Sequence, residues 1–208
     1  QAARYYAMAN KPQNQADALS KAAKCVPKEE SASAIEWMQE GITALEDAER
    51  WHVIKDPYRA LVTLQVRADK VAEAIQTEKK YMAALAKADF PELAAKCGLE
   101  IVIMCLHLGD HVLAEREFQT MSAEGFGFPH SPEQKIAYEL IDASEQRDAA
   151  RLQEAGKQQR ITFLIADIAR MAKKLAVPSG APPPRKPAAL GGGMAAADDE
   201  PEDDEDVR

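Results

Sequence analysis

Helix starts recur in this chain at a near-constant interval, and that interval constrains its fold more than any other feature. One start lies near Glu30, after VPKEE, the next at Asp69 in VRADKVAEA, and the third at Asp110 in LGDHVLAEREF. They are 39 and 41 residues apart. Each opens on an acidic residue, and a carboxylate is favoured beside the partial positive charge of a helix N-terminus. Breaks fall roughly midway, near Trp51 and at Phe90-Pro91. The spacing therefore predicts a helix of roughly 20 residues, a turn, and another such helix, repeated. Within the segments, apolar residues keep helical spacing. Ala34, Ile35, Met38, Ile42 and Leu45 form one stripe, and Val71, Ala74, Ile75, Glu78 and Met82 form another. No stretch keeps up the alternation of a strand. A helix pair repeated in this way is the mark of an α-solenoid, in which each hairpin buries its apolar face on the next.

The tetratricopeptide form of that architecture has a unit of about 34 residues, so a longer-helix relative is expected here. LxLGDxxxAExxF, from Leu106 to Phe118, reads as one of its corners: Gly109 and Asp110 turn the chain, small Ala114 sits where helices cross, and Phe118 is a packing knob. Residues 125–132, GFGFPHSP, form a loop. The loop ends in a capping box of Ser131 and Gln134, with Pro132 at the first helical position. That helix is expected to reach about Ser144, and a further helical stretch, with Ile161, Leu164, Ile165, Ile168 and Met171 on one face, to reach about Val177. From Pro178 the composition becomes PSGAPPPRKPAALGGG, which cannot bury a core. The expected organisation is helical hairpins over 1–124, a C-terminal helical bundle over 125–177, a Pro/Gly-rich flexible linker over 178–197 and an acidic tail over 198–208.

Charge is concentrated in that tail. Eight of the nine residues from Asp198 to Asp206 are acidic, against a net charge of −8 for the whole chain. The body before it is nearly neutral, which argues against nucleic acid as a ligand, because phosphate binding needs clustered Lys and Arg. A basic protein partner for the tail fits better. The cysteines Cys25, Cys97 and Cys105 are odd in number and lie in apolar surroundings, so they read as reduced, buried thiols. The longest apolar run, IVIMCL at 101–106, is far too short to span a bilayer. The chain opens in helix-like sequence without an initiator Met, as expected of the C-terminal part of a longer protein or a processed form.

Catalytic motifs are missing: there is no HExxH, CxxC pair, GxSxG or P-loop. His107 and His111 have chelating spacing, but Gly109-Asp110 between them puts them on different helices, as surface imidazoles at a turn. No catalytic residue, metal or cofactor is expected, and the surface carboxylates read as solvated helix charges.

The run EKKYMAALAKADFPELAAKCGLEIVIMCLHLGDHVLAEREF, then GFGFPHSPE, then YELIDASEQRD, resembles soluble NSF attachment proteins, especially the gamma type. The shared features are the Phe90-Pro91 break, the LHLGD corner followed by Ala114-Glu115-Arg116, the Gly-Phe loop, and a helix carrying LID-x-x-E. The exit at residues 176–180 is also gamma-like, whereas EDDEDVR matches the alpha-type ending. The resemblance implies a twisted sheet of antiparallel helix hairpins, a TPR-like right-handed superhelix, followed by a helical bundle. It also implies a cytoplasmic, non-enzymatic adaptor, peripherally associated with membranes through an N-terminal part that would lie upstream of Gln1. Such an adaptor binds syntaxin-like and other SNAREs as an assembled complex. It recruits the N-terminal domain of an NSF-type AAA ATPase, in vesicle fusion, ER-Golgi and other intracellular protein transport.

Residue by residue, the resemblance assigns ATPase binding to Asp142 and Glu145 and to the tail residues Asp203, Asp204, Glu205, Asp206 and Val207. It assigns SNARE binding to Lys96. Asp142 and Glu145 are i, i+3 on a helix, so they share a face, with Ile136, Ala137 and Leu140 packed on the other side. The alternative function is a generic α-solenoid scaffold whose acidic tail is read by a chaperone or another basic partner.

Overall fold

A computed structural model describes residues 1–26 and 31–177. The linker and the acidic tail, with Asp203, Asp204, Glu205, Asp206 and Val207, lie outside the described residues, as does Glu30. The described chain is all-helical. Its helices are α1 (Ala2–Met8), α2 (Pro12–Lys24), α3 (Ser31–Asp47), α4 (Lys55–Arg67), α5 (Val71–Lys87), α6 (Pro91–His107), α7 (His111–Glu124), α8 (Pro132–Glu145), α9 (Ala149–Ala155) and α10 (Ala166–Ala172). Short 3-10 turns lie at Trp51–Val53 and Gln159–Phe163. Among the described residues there is no strand, and no helix is long and apolar enough to cross a membrane.

One corner geometry repeats along the array. Glu49, Asp69, Asp89 and Gly109 each adopt a left-handed backbone, with φ of 52, 61, 59 and 74°. These positions are spaced 20 residues apart. At each, the following amide reaches back to the helix just ended: Arg50 N to Leu45 O, Lys70 N to Gln65 O, Phe90 N to Leu85 O, and Asp110 N to Cys105 O, at 2.8 to 3.1 Å. This is the Schellman cap, which satisfies the carbonyls a helix end leaves open. The corner uses several residues of every 20, so α3 to α7 run 13 to 17 residues and not the full 20 expected. The same geometry corrects the role expected of Asp69. It does not open α5 but turns the chain two residues earlier, and Lys70 is the N-cap. Asp110 does cap α7, its carboxylate accepting the Leu113 amide at 2.8 Å.

Successive helices pack as antiparallel hairpins around one continuous core that runs from Ala16 to Leu175. Helix α6 is its axis. Every residue from Cys97 to Leu106 is buried, because α5, α7, α8 and α10 all pack on α6. That explains the apolar run at 101–106, which has no polar face left to show. Ala94, Ala114 and Ala137 are fully buried. Tyr58 of α4 stacks on Tyr81 of α5, with ring centroids 5.0 Å apart.

The Gly-Phe loop is fitted to α6. Phe128 is fully buried over Gly98, where a Cβ would come within 2.4 Å of the ring. Gly127, at φ +72, lies so close to Pro91 that a Cβ would sit 2.3 Å from its carbonyl oxygen. The Phe118 ring meets Phe128 edge-on at 6.0 Å. Ser131 caps α8 by accepting the Gln134 amide at 3.0 Å, while Gln134 accepts from His130 N at 2.6 Å, one residue before the N-cap.

The C-terminal stretch differs from the single helical run expected. It breaks into α9, the 3-10 turn and α10, which folds back onto α6 and α4. Gly156 ends α9 at a crossing so tight that a Cβ would lie 2.6 Å from Ala172 O. Ile161, Leu164, Ile165 and Ile168 are nonetheless all buried. Cys97 and Cys105 are buried, but Cys25 is exposed, because it caps the end of α2 and faces away from the stripe.

Candidate functional site

The C-terminal end of α8 presents the first group of expected binding residues. Ile136, Ala137, Leu140 and Ile141 face the core, so residues 142 and 145 fall toward solvent. Glu145 is exposed; Asp142 is half-buried and engaged within the chain. Its carboxylate forms an ion pair with Arg151 of α9 and accepts from Gln146 Nε2 at 2.7 Å. Asp148 caps α9 through the Arg151 amide at 3.0 Å. The α8–α9 corner is thus a charged edge of Asp142, Glu145, Asp148 and Arg151. Beside it comes the α6–α7 corner, because Ser144 Oγ lies 3.0 Å from His111 Nδ1. There Leu108 and Val112 are exposed. His107 and His111 sit on different helices, as their spacing around Gly109 predicts.

Lys96 stands apart from that edge. It is half-buried on α6, one turn before Glu100. The structure therefore brings Asp142 and Glu145 together and keeps Lys96 elsewhere.

One group was missed by sequence reasoning. Glu78 of α5 and Cys97 and Glu100 of α6 are buried together, and their ligating atoms lie within 4.8 Å of one another. Burial, joined by the Glu100 charge, pushes the Glu78 carboxyl well above its ordinary range. Burial also raises Glu100, with the Arg59 guanidinium opposing, and raises the Cys97 thiol. Glu100 Oε1 accepts the Ile165 amide at 2.6 Å, in the lead-in to α10. Glu100 Oε2 and both oxygens of Glu78 meet no donor at hydrogen-bond geometry, although Cys97 and Glu100 stand close enough to Glu78 to shift it. The signal was present in the sequence, since Glu78 occupies an apolar stripe position beside Ile75 and Met82. The other buried carboxylates among the described residues are paired: Glu117 with Lys79 at 2.9 Å, and Glu133 with Arg160 at 2.9 Å.

No family model matches the chain. It is similar to a gamma-soluble NSF attachment protein of Arabidopsis thaliana, 25% identical over 179 residues. The match covers 86% of this chain, which spans 60% of that relative's length.

Proposed function

We propose that this chain is a non-enzymatic adaptor that binds SNARE complexes and recruits an NSF-type AAA ATPase to take them apart in vesicle-mediated transport. The observation that carries this reading is the similarity to a gamma-soluble NSF attachment protein along 86% of the chain. The hairpin array supports it, since stacked helix pairs offer the long rigid surface that an elongated helical partner needs. In this reading residues 1–124 hold the SNARE complex, with Lys96 as one of the cations on that side. Residues 125–177 face the ATPase, 178–197 act as a tether, and 198–208 meet a basic domain. Asp142, held by Arg151, positions the α8–α9 corner, and Glu145 offers its exposed charge to the partner. The acidic tail raises the encounter rate with a basic surface, and Val207 adds one apolar contact. The adaptor works at the cytoplasmic face of membranes.

Binding of this chain to the isolated N-terminal domain of the ATPase tests the assignment. Glu145→Lys is expected to weaken binding by about threefold to tenfold at low salt, the size of one exposed charge contact. Cutting after Ala197 is expected to remove most of the salt-sensitive part of the affinity. No binding by the parent chain would leave the scaffold reading in its place, and equal binding by parent and both variants would remove Glu145 and the tail from the contact.

A further inference from the structure

We infer that Glu78, Cys97 and Glu100 form a structural site for a divalent transition-metal ion, of which Zn²⁺ is the best fit. The inference stands independently of the adaptor function. Cys97 and Glu100 are i, i+3 on α6 and so share a face, and Glu78 reaches them from the neighbouring α5. Their ligating atoms all lie within 4.8 Å of one another. A tetrahedral ion with bonds of about 2.0 to 2.3 Å needs its ligands about 3.5 Å apart, within reach of small side-chain rotations.

Unmet polar atoms supply the second observation. Both oxygens of Glu78, Oε2 of Glu100 and the Tyr81 hydroxyl are buried without a hydrogen-bond partner. Tyr81 lies on the same face of α5 as Glu78, and Cys97, Glu78 and Glu100 all perturb its hydroxyl. A single proton shared between the carboxyls joins two of these oxygens, whereas one cation joins an oxygen of each carboxyl and the Cys97 sulfur as well. Charge also balances. Two carboxylates and a thiolate are offset by a divalent ion together with the Arg59 guanidinium, whose field reaches all three residues.

The donor set selects the ion. A thiolate disfavours Mg²⁺ and Ca²⁺, which take oxygen ligands, and a mixed sulfur and carboxylate set suits Zn²⁺. The Ile165 amide already holds Glu100 Oε1 and leaves Oε2 for the ion, the outer support that metal ligands usually have. An ion here would tie α5 to α6 and to the lead-in of α10. Its binding energy would then be part of the folding energy.

The test is to refold the full chain with one equivalent of Zn²⁺, desalt it and count the metal, then repeat with Co²⁺. Desalting removes ions held loosely by the acidic tail. One ion per chain is expected to survive, with a thiolate-to-cobalt charge-transfer band in the near ultraviolet. The band should persist in Cys25→Ser and vanish in Cys97→Ser. Glu78→Gln, which imitates a protonated carboxyl, should keep the helical circular dichroism and bind Zn²⁺ at least about tenfold more weakly. The proposal is overturned if the refolded chain holds no metal, because the buried carboxyls then share a proton instead. It is equally overturned if Cys25→Ser removes the band, or if Glu78→Gln binds Zn²⁺ like the parent.

Discussion

At the scale of single residues, two glycines separate two kinds of cost. Gly109 has φ +74 and open space around the Cβ it lacks, so Gly109→Ala changes only backbone strain. A loss of about 1 kcal/mol is expected in urea unfolding. Gly98 has no such φ constraint, but a Cβ there would strike the Phe128 ring at 2.4 Å. Gly98→Ala should therefore cost more, about 1 to 3 kcal/mol, because the fully buried ring must shift. Glu49 occupies the same corner position as Gly109, with a side chain that disfavours φ of 52°. Glu49→Gly is expected to stabilise by up to about 1 kcal/mol. Thiols give a further check. Cys97 and Cys105 are buried, with burial pushing Cys105 up to about 12, and Cys25 is exposed. One fast thiol is expected in an aromatic disulfide assay of the native chain at pH 8, and three after denaturation. A fast reaction of two or three native thiols would contradict the burial of α6.

At the scale of elements, α10 is the piece whose seat matters most, because it covers α6 and α4 with only seven helical residues. So short a helix is not stable alone, and tertiary contacts must hold it. Ile168 is fully buried there, so Ile168→Ala is expected to cost about 2 to 5 kcal/mol and to expose α10 amides to hydrogen exchange. Phe163 is 60% exposed, and Phe163→Ala should leave both readings nearly unchanged. Much of this level was legible beforehand. Helix pairs, corner positions and inward faces follow from stripes such as Ile35, Met38 and Ile42, and from the Ser131-Pro132 start. The division of residues 149–177 was not, because it goes with a close approach of Gly156 to Ala172, distant in sequence. The meeting of Glu78 with Cys97 and Glu100 escaped for a related reason. It depends on how α5 and α6 register, although a carboxylate in an apolar stripe already marked one member.

At the scale of the whole molecule, a continuous helical core from Ala16 to Leu175 is followed in the sequence by the acidic residues of 198–206. The α8–α9 edge carries the Asp142–Arg151 ion pair, and the residues between 178 and the acidic run are rich in Pro and Gly. In the proposed function that acidic segment acts through effective concentration, so its influence should fall steeply with salt, unlike that of the apolar core. In the proposed function the C-terminal part of the chain recruits an NSF-type ATPase to a SNARE complex. The most direct measurement is the ATP hydrolysis rate of that ATPase with a preassembled SNARE complex, with and without this chain. Hydrolysis is expected to rise with the intact chain. It should rise much less with the chain cut after Ala197, and by an intermediate amount with Val207→Ala. No stimulation by the intact chain, or equal stimulation by all three, would contradict that function.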